Sequence, residues 1–316
     1  MSSNARAYLI LKNGGSVTLD RPLSFSFKKD RYSPVQSFEG EFQSDAPVTL
    51  VSSATVSIKG NNVLSGYIHS IKNTKTASGY VCKIVAKSQT SLLEENHIKP
   101  GLYTQVSLRS FYDEYIKIAN IPFTGGTEVL NYVNFSDFAT MWDAVVFFCL
   151  KQYGVYPYVL TNNRLMFSLP EVTSKLAISA ERIIEASEDY DTSRLISHIY
   201  MKDKEGNYAT YHKACEYAIN LGITREKHIP ILYSWLHDVD GGLDYKLNFA
   251  RRKCRSLHIS YLGYFSEDIY TELTIPSGIL GNANVYTVHG MEIKGDDKKV
   301  ITTLYYYDDY YSNIGG

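Results

Sequence analysis

The sequence predicts a β-rich α+β protein in which two β regions flank a compact α+β unit. Short runs of β-branched and aromatic residues, separated by Asn- and Gly-containing turns, fill the first ninety residues and the last sixty. Between them, apolar residues recur at helical spacing over residues 107–119 and again after Thr140. With 316 residues, 44% of them hydrophobic, the chain is long and apolar enough to bury a substantial core.

The first β region is predicted over residues 1–88. Its predicted strands are residues 7–11, 35–42, 48–51, 54–58, 63–71 and 79–85. Turn chemistry separates several of them, as in Asn13-Gly14-Gly15. Closely spaced short strands favour a small barrel or a sandwich over an α/β unit.

The middle unit begins with a short helix after Lys87 and continues with the helix at residues 107–119. A further helix is predicted from Thr140 to Gly154. Thr140 and Asp143 are spaced as a relaxed capping box, because Asp is shorter than the usual Glu, and Gly154 suits the C-cap. Asn162-Asn163 then predicts a hairpin turn, since Asn tolerates the left-handed conformation.

The second β region resumes at residue 181 and is interrupted by a partly helical insertion at residues 212–255. Its predicted strands are residues 183–186, 195–202, 208–211, 258–262, 269–275, 283–293 and 300–307. The insertion carries one apolar stripe, formed by Leu243, Leu247, Ala250, Cys254 and Leu257. Opposite it lies a basic face, formed by Lys246, Arg251, Arg252, Lys253 and Arg255.

The composition indicates a protein that assembles with others. The chain has 32 Lys+Arg against 33 Asp+Glu, and this balance argues against a general polyanion binder. It also contains 27 Tyr, a residue that buries an apolar ring and keeps a polar tip, as interfaces require.

No targeting segment is expected. The apolar run at residues 7–11 is too short for a signal peptide, and the longest apolar run, residues 144–150, falls short of the roughly 20 residues that cross a bilayer. The cysteines are scattered without a CxxC pair, at Cys82, Cys149, Cys215 and Cys254. We therefore expect a protein made and kept in the cytoplasm, with neither a disulfide framework nor a zinc site.

Catalytic motifs are absent from the sequence, and two weaker patterns remain as alternatives. Residues 238–244, with Asp238, Asp240 and Asp244, faintly resemble a calcium loop, although a turn before a helix explains them equally. The acidic stretch Glu185, Glu188, Asp189 and Asp191 offers paired carboxylates, as a hydrolase of peptidoglycan would need. A solvated acidic loop is the simpler interpretation of it.

The basic face of the insertion is the best candidate for contact with a polyanion. A nucleic-acid-binding β-barrel that uses residues 246–255 is therefore a further alternative. Such a face is more often solvated or salt-bridged, and a protein–protein role ranks ahead of nucleic acid for it.

Three stretches, taken in order, resemble the tail hub proteins of contractile phages. The first comprises residues 64–68, 80–88 and 92–93, which follow the family's strand, returning strand and short helix. The second is the helix pair followed by the hairpin up to Phe167. The third is residues 216–223, followed by the helix around Ala250 and the strands up to Tyr307. The family includes baseplate hubs of phages, of prophages and of phage-tail-like bacteriocins such as the diffocins.

This resemblance implies a structural protein that has no enzyme activity and no cofactor or metal. Each chain would supply two tube-like β-barrel domains to a homotrimeric ring that joins the six-fold tail tube to the three-fold spike, beside other baseplate proteins. Neither a membrane nor a specific nucleic acid would be a partner, and assembly would occur in the bacterial cytoplasm as part of a phage tail or tailocin. The residues expected at such contacts are Tyr305, Tyr306, Tyr307, Tyr310, Tyr311, Arg251 and Arg252.

The resemblance also implies the domain boundaries. They are a first barrel at 1–88, an α+β domain at 89–180, a second barrel at 181–211 and 256–310, the insertion at 212–255, and a mobile tail at 311–316.

Overall fold

The computed structural model describes residues 4–118, 120–168, 171–280 and 284–307, and it confirms the β-rich α+β class. The strands are β1 (Ala5–Leu11), β2 (Ser16–Leu19), β3 (Pro22–Asp30), β4 (Ser37–Ser44), β5 (Val51–Ile58), β6 (Asn61–Thr76), β7 (Gly79–Ser88), β8 (Gly101–Ser107), β9 (Val129–Phe135), β10 (Tyr158–Leu160), β11 (Arg164–Met166), β12 (Ser174–Ala177), β13 (Ile183–Tyr190), β14 (His198–Met201), β15 (Tyr211–Ala214), β16 (Glu226–Ile229), β17 (Arg255–Leu262), β18 (Thr271–Thr274), β19 (Val285–Thr287), β20 (Gly290–Gly295) and β21 (Val300–Tyr307). The helices are α1 (Leu92–Glu95), α2 (Leu108–Phe111), α3 (Met141–Tyr153), α4 (Glu216–Asn220) and α5 (Val239–Arg251).

One large sheet contains strands from both ends of the chain. Its order is β13-β17-β21-β20-β3-β4-β7-β6-β5-β1-β2, and each neighbouring pair is antiparallel. Strands β20 and β3, far apart in sequence, join the two predicted β regions. Within the described residues this sheet ends at β13 on one side and at β2 on the other.

Eight consecutive strands of this sheet repeat one four-strand topology twice. We call β3-β4-β7-β6 tandem set I and β13-β17-β21-β20 tandem set II. In both sets the chain forms the first and second positions, then the fourth, and finally the third. The sets follow one another head to tail in the sheet. Strand β20, in the fourth position of set II, pairs with β3, in the first position of set I. The insertion lies between the first two strands of set II, β13 and β17, and contains β14–β16, α4 and α5. It therefore begins before the predicted residue 212.

The tandem sets bury one face of the sheet. In β3 and β4 the side chains of Phe25, Phe27, Phe38 and Phe42 are buried, while the alternate residues are polar and more exposed. Gly40 is required among these rings, because a Cβ there would lie 2.7 Å from Phe38 and Phe42. The resulting core is continuous across both sets.

The middle unit folds as the local sequence signals predict. Thr140 Oγ1 accepts the backbone N–H of Asp143, and the Asp143 carboxylate accepts the backbone N–H of Thr140, which confirms the capping box of α3. Gly154 ends the helix at φ 64°, and the hairpin β10–β11 turns through Asn162 and Asn163 at φ 64° and 62°. Helix α3 is buried on nearly all sides over residues 144–150, inside a second, aromatic-rich core.

Several sequence predictions differ from the structure. Strands β2, β3, β8 and β9 were not predicted, and in β3 the inward-facing Lys29 breaks the apolar alternation. The helix at residues 107–119 is a four-residue α2 followed by one π turn, which ends where Lys117 adopts φ 53°. Helix α5 ends at Arg251, so Cys254 and Leu257 of the predicted stripe lie beyond it, and Leu257 is on β17.

A buried ion pair joins tandem set I to the loop between β17 and β18 and to the middle unit. Lys29 of β3, with a side chain only 2% exposed, is paired with the Asp268 carboxylate in the loop before β18. That carboxylate also accepts the backbone N–H and the hydroxyl of Thr161, at 2.8 and 2.7 Å, in the turn after β10. Burial lowers the pKa of Lys29, and Asp268 opposes this effect. We call Lys29, Asp268 and Thr161 the latch.

Candidate assembly surface

The tyrosines of β21 have different surroundings. Tyr307 is buried, donates to Asp30 at 3.1 Å and stacks on Tyr32 at 6.4 Å, so this chain itself uses its side chain. Tyr305 and Tyr306 are half-buried. Tyr305 lines two grooves of about 350 and 310 Å³ and is the member of this run best placed for contact with another molecule.

Two of the predicted contact tyrosines, Tyr310 and Tyr311, lie outside the described residues, as does the predicted tail at 311–316.

The arginines of the insertion stack on rings of the same chain. The Arg251 guanidinium lies 3.7 Å from the centre of the Tyr217 ring, and that of Arg252 lies 3.4 Å from the Phe249 ring. Lys253 pairs with Asp30. The basic stretch is therefore half-buried and largely engaged within the fold. Whether Arg251 and Arg252 contact a partner stays a prediction.

Each end of the tandem array has an open strand edge. In the part of the chain that the structure describes, β13 is paired only with β17, through Ile183–Tyr190. At the other end, β6 pairs with β5 only up to Gly66, and residues 67–76 are paired on one side only, with β7, among the described residues. Gly66 lies where the two parts of β6 meet and must be glycine, since a Cβ there would lie 1.9 Å from the Lys87 carbonyl oxygen. Open edges are sites where another strand can add.

The two open edges have opposite charge. Glu185, Glu188 and Asp189 are exposed on β13, whereas His69, Lys72 and Lys75 are exposed on the open part of β6. At the internal junction between the tandem sets, a similar contact is already made, because Lys28 of β3 pairs with Glu292 of β20 at 3.2 Å. The β6 edge was missed as a contact site from the sequence, because its lysines alternate with polar residues in an ordinary exposed strand.

The acidic stretch on β13 lacks the electrostatics of a general acid. Glu188 accepts a hydrogen bond from Tyr190 at 2.7 Å and pairs with Arg255 at 2.6 Å. These contacts lower the pKa of Glu188, whereas a catalytic acid needs a raised pKa. Asp191 also has a lowered pKa, because the side chain and backbone of Ser193 donate to it. Glu188 and Asp191 therefore favour the ionised form, not the protonated form that a general acid needs.

The loop at residues 238–244 begins a helix. Asp238 accepts the backbone N–H of Gly241 at 3.0 Å as the N-cap of α5 and pairs with Lys151 at 2.7 Å. These contacts lower the pKa of Asp238, and the hydrogen bond from Lys151 has the largest effect. Asp244 pairs with Lys213. Among the described residues no group of three or more His, Cys, Asp or Glu is arranged to hold a metal ion.

Replacing the cap Asp238 should destabilise the fold without involving calcium. We expect Asp238→Ala to lower the free energy of unfolding by about 1 kcal/mol through the lost N-cap. Adding calcium to the unmodified protein should leave its melting temperature unchanged. Both are measured by thermal unfolding followed by circular dichroism. A calcium-dependent rise that Asp238→Ala abolishes would instead support a calcium loop.

Comparison with known proteins identifies the fold. Neither a family model nor a curated protein sequence matches the chain. Among solved structures, a tail protein from Neisseria meningitidis MC58 is 14% identical at a TM-score of 0.69, covering 98% of this chain and 97% of that one. The 43-kDa tail protein of prophage MuSo2 from Shewanella oneidensis is 13% identical at a TM-score of 0.71, covering 96% of this chain and 100% of that one.

A third similar structure comes from a secretion system. It is an Escherichia coli protein described as a component of the type VI secretion system with structural similarity to bacteriophage T4 tail proteins. It is 8% identical at a TM-score of 0.58, covering 92% of this chain and 74% of that one. The resemblance predicted from the sequence is thus confirmed at the level of fold. This chain has the fold of phage tail proteins and of a related secretion-system component.

Proposed function

We propose that the chain is a structural baseplate hub, a homotrimeric ring that joins the six-fold tail tube to the three-fold spike of a contractile particle. The repeated topology of tandem sets I and II is the observation that supports this function most strongly. Three chains with two similar units each present six similar surfaces to a tube and three to a spike. The sets follow one another head to tail, as successive units around one ring do. Each set would form the core of one tube-like barrel domain.

The open edges supply a route to ring closure. The residues 67–76 edge of one copy would pair with β13 of the next copy, antiparallel like the internal β20–β3 junction. Lys72 would then lie on the strand face of Glu185 and Asp189, whereas Lys75, on the opposite face of β6, would lie on that of Glu188. Three copies closed in this way form one continuous ring of tandem strands without an exposed edge.

The sheet face opposite the core suits a channel through such a ring. Lysines on this face pair with carboxylates: Lys28 and Lys294 with Glu292, Lys83 with Glu39 and Glu41, and Lys87 with Glu95. Serine and threonine lie between them in the strand register. Because the lysines on this face are neutralised by carboxylates of the same chain, the face would not bind a polyanion that moves through the channel.

In this proposal the protein is a structural component of a particle and not an enzyme. The tube protein, the spike protein and other baseplate proteins are the partners of a hub, and it would be assembled in the bacterial cytoplasm into a phage tail or a headless tailocin. In the described residues, no helix has both the length and the apolar character to span a membrane. As a structural protein, the chain should be inert toward peptidoglycan.

The mass of the protein in solution tests the proposal. Mixed with the tube and spike proteins of its particle, the chain should elute as a complex with three copies per spike trimer. Light scattering coupled to size-exclusion chromatography measures this ratio. A chain that stays monomeric in the presence of both partners would contradict a hub role.

A further inference from the structure

The first strand of tandem set I begins with a bulge. In β3, Pro22 pairs with Phe42 of β4, and Ser24 pairs with the adjacent residue of β4, Glu41. Leu23 is therefore one residue more than the partner strand can match. A bulge of this kind re-aims a side chain at the end of a strand.

The first strand of tandem set II begins with the same irregularity. In β13, Ile183 pairs with Tyr261 of β17, and Glu185 pairs with the adjacent residue of β17, Ser260. Ile184 is the extra residue. In both sets the bulge lies directly after the first paired residue, and in both the extra residue is a large aliphatic one.

The residues opposite the two bulges are also equivalent. Phe42 in set I pairs with Cys82 of β7, and Tyr261 in set II pairs with Thr302 of β21. All four side chains are 0% exposed. Each bulge therefore lies at the same place relative to the core of its set, which makes Leu23 and Ile184 equivalent positions of the repeated topology.

Both equivalent side chains are in contact with solvent. Leu23 is 49% exposed and Ile184 is 52% exposed, although the residues on either side of Leu23 in the core-facing register, Pro22 and Phe25, are buried. A single exposed aliphatic residue is ordinary on a protein surface. Its recurrence at equivalent places in two units of one chain indicates a shared contact.

The two bulges lie at the end of the sheet that also carries two equivalent hairpin turns. Neighbouring strands are antiparallel, so β3 and β13 begin at the end where β6 and β20 finish. The turn after β6 is residues 77–78, and the turn after β20 is residues 296–299. We call Leu23, Ile184 and these two turns the repeated rim.

The opposite end of the sheet differs between the two sets. There β3 is joined to β4 by residues 31–36, whereas β13 is joined to β17 by the insertion, residues 191–254. The middle unit also leaves the sheet at this end, after β7. In a trimer this end repeats three times, while the repeated rim presents similar features six times.

A recess in the repeated rim has a fixed shape. A cavity of about 420 Å³ lies beside the β3 bulge and is lined by Ser24, Asp296 and Lys299, among others. The Asp296 carboxylate accepts the backbone N–H groups of Lys298 and Lys299, at 2.8 and 2.9 Å, and thereby holds the turn after β20 in one conformation. The rim therefore offers a preorganised surface to a partner.

We propose that the repeated rim docks the end ring of the tail tube, a ring of six identical protein subunits. This inference rests on the proposed hub function and assigns the face of the hub that meets the tube. Three copies present six bulged aliphatic side chains, and each of six identical subunits can bury one of them. The end with the insertion and the middle unit is then left for the three-fold spike.

The binding of assembled tubes by the complex of this chain with its spike tests the assignment. Leu23→Glu/Ile184→Glu should lower the affinity for tubes at least about tenfold, because a carboxylate at each contact would have to be desolvated. Biolayer interferometry with immobilised tubes of the same particle measures this change. The variant should still form trimers on the spike, measured by light scattering.

Two further sets of variants make the test specific. Leu23→Glu and Ile184→Glu as single changes should weaken tube binding to a similar extent, because the positions are equivalent. The exchange Leu23→Ile/Ile184→Leu keeps both sites aliphatic and should leave binding unchanged. Leu102→Glu/Leu221→Glu, at two exposed leucines outside the tandem strands, is the matched control and should also bind tubes normally.

Three results would overturn the inference. They are undiminished tube binding by the double glutamate variant, a loss confined to one of the two single variants, and a loss of spike binding with tube binding intact. The last result would assign the rim to the spike. A native chain that binds neither tube nor spike would contradict the hub function itself. Equal circular dichroism spectra of the variants show that folding is not the cause.

Discussion

Asp268→Ala should be among the most destabilising single substitutions in the chain. Asp268 is the carboxylate partner of the buried Lys29, and its removal leaves an ammonium group without a counter-ion in the core. Breaking one partner of a buried ion pair costs about 3–5 kcal/mol. The same change removes the acceptor for the N–H and hydroxyl of Thr161. Urea unfolding followed by tyrosine fluorescence measures the loss in free energy of unfolding.

Two further variants separate the latch from a general effect of losing charge. Lys29→Met/Asp268→Leu removes both charges and should recover the part of the stability lost through the unpaired ammonium group, while the loss of the acceptor for Thr161 remains. Asp45→Ala breaks the exposed pair with Arg21 and should leave the unfolding midpoint unchanged. If Asp268→Ala were as stable as Asp45→Ala, the latch would not hold the three parts together.

Lys72→Glu/Lys75→Glu should abolish ring formation while leaving the fold intact. Both lysines are exposed on the open part of β6, so their reversal costs the monomer little. In the proposed ring Lys72 faces Glu185 and Asp189 of the next copy and Lys75 faces Glu188 on the other side of the strand, so reversal creates like-charge contacts on both faces of the edge. The trimer-to-monomer ratio, measured by light scattering with the tube and spike proteins present, should fall at least about tenfold.

Charge restoration makes this prediction specific. Glu185→Lys/Asp189→Lys alone should also disrupt the ring, and its combination with Lys72→Glu, which lies on the same strand face, should restore it. Lys12→Glu/Lys204→Glu reverses two exposed lysines outside the tandem strands and serves as the control. Trimers that persist in the β6 variant, or a combination that fails to recover, would exclude this edge as the contact.

Local signals carried most of what could be predicted from the sequence. Thr140, Asp143 and Gly154 specify both ends of α3 through hydrogen bonds within a few residues. Asn162 and Asn163 specify a turn because their own backbones adopt positive φ. Strand β21 matches its predicted range of residues 300–307 because its apolar pattern is regular.

What the sequence did not reveal depends on partners far along the chain. In the sequence, Lys29 interrupts the apolar pattern of a strand. The carboxylate that pairs with it, Asp268, lies 239 residues away along the chain. The junction of β20 with β3 is likewise invisible to local periodicity. His198, His212 and His228 are dispersed in sequence, and only the pairing of three strands brings their rings together.

The repeated topology emerged only from the order of strands in the sheet, since the two tandem sets share no visible sequence repeat. The insertion between the first two strands of set II makes the repeat still harder to see in the sequence.

An electron cryo-microscopy image of the assembled particle tests the hub account most directly. The account predicts a ring of three copies of this chain on the tube axis, between tube and spike, with β6 of each copy beside β13 of the next. A chain located away from the axis, or six copies in the ring, would contradict it.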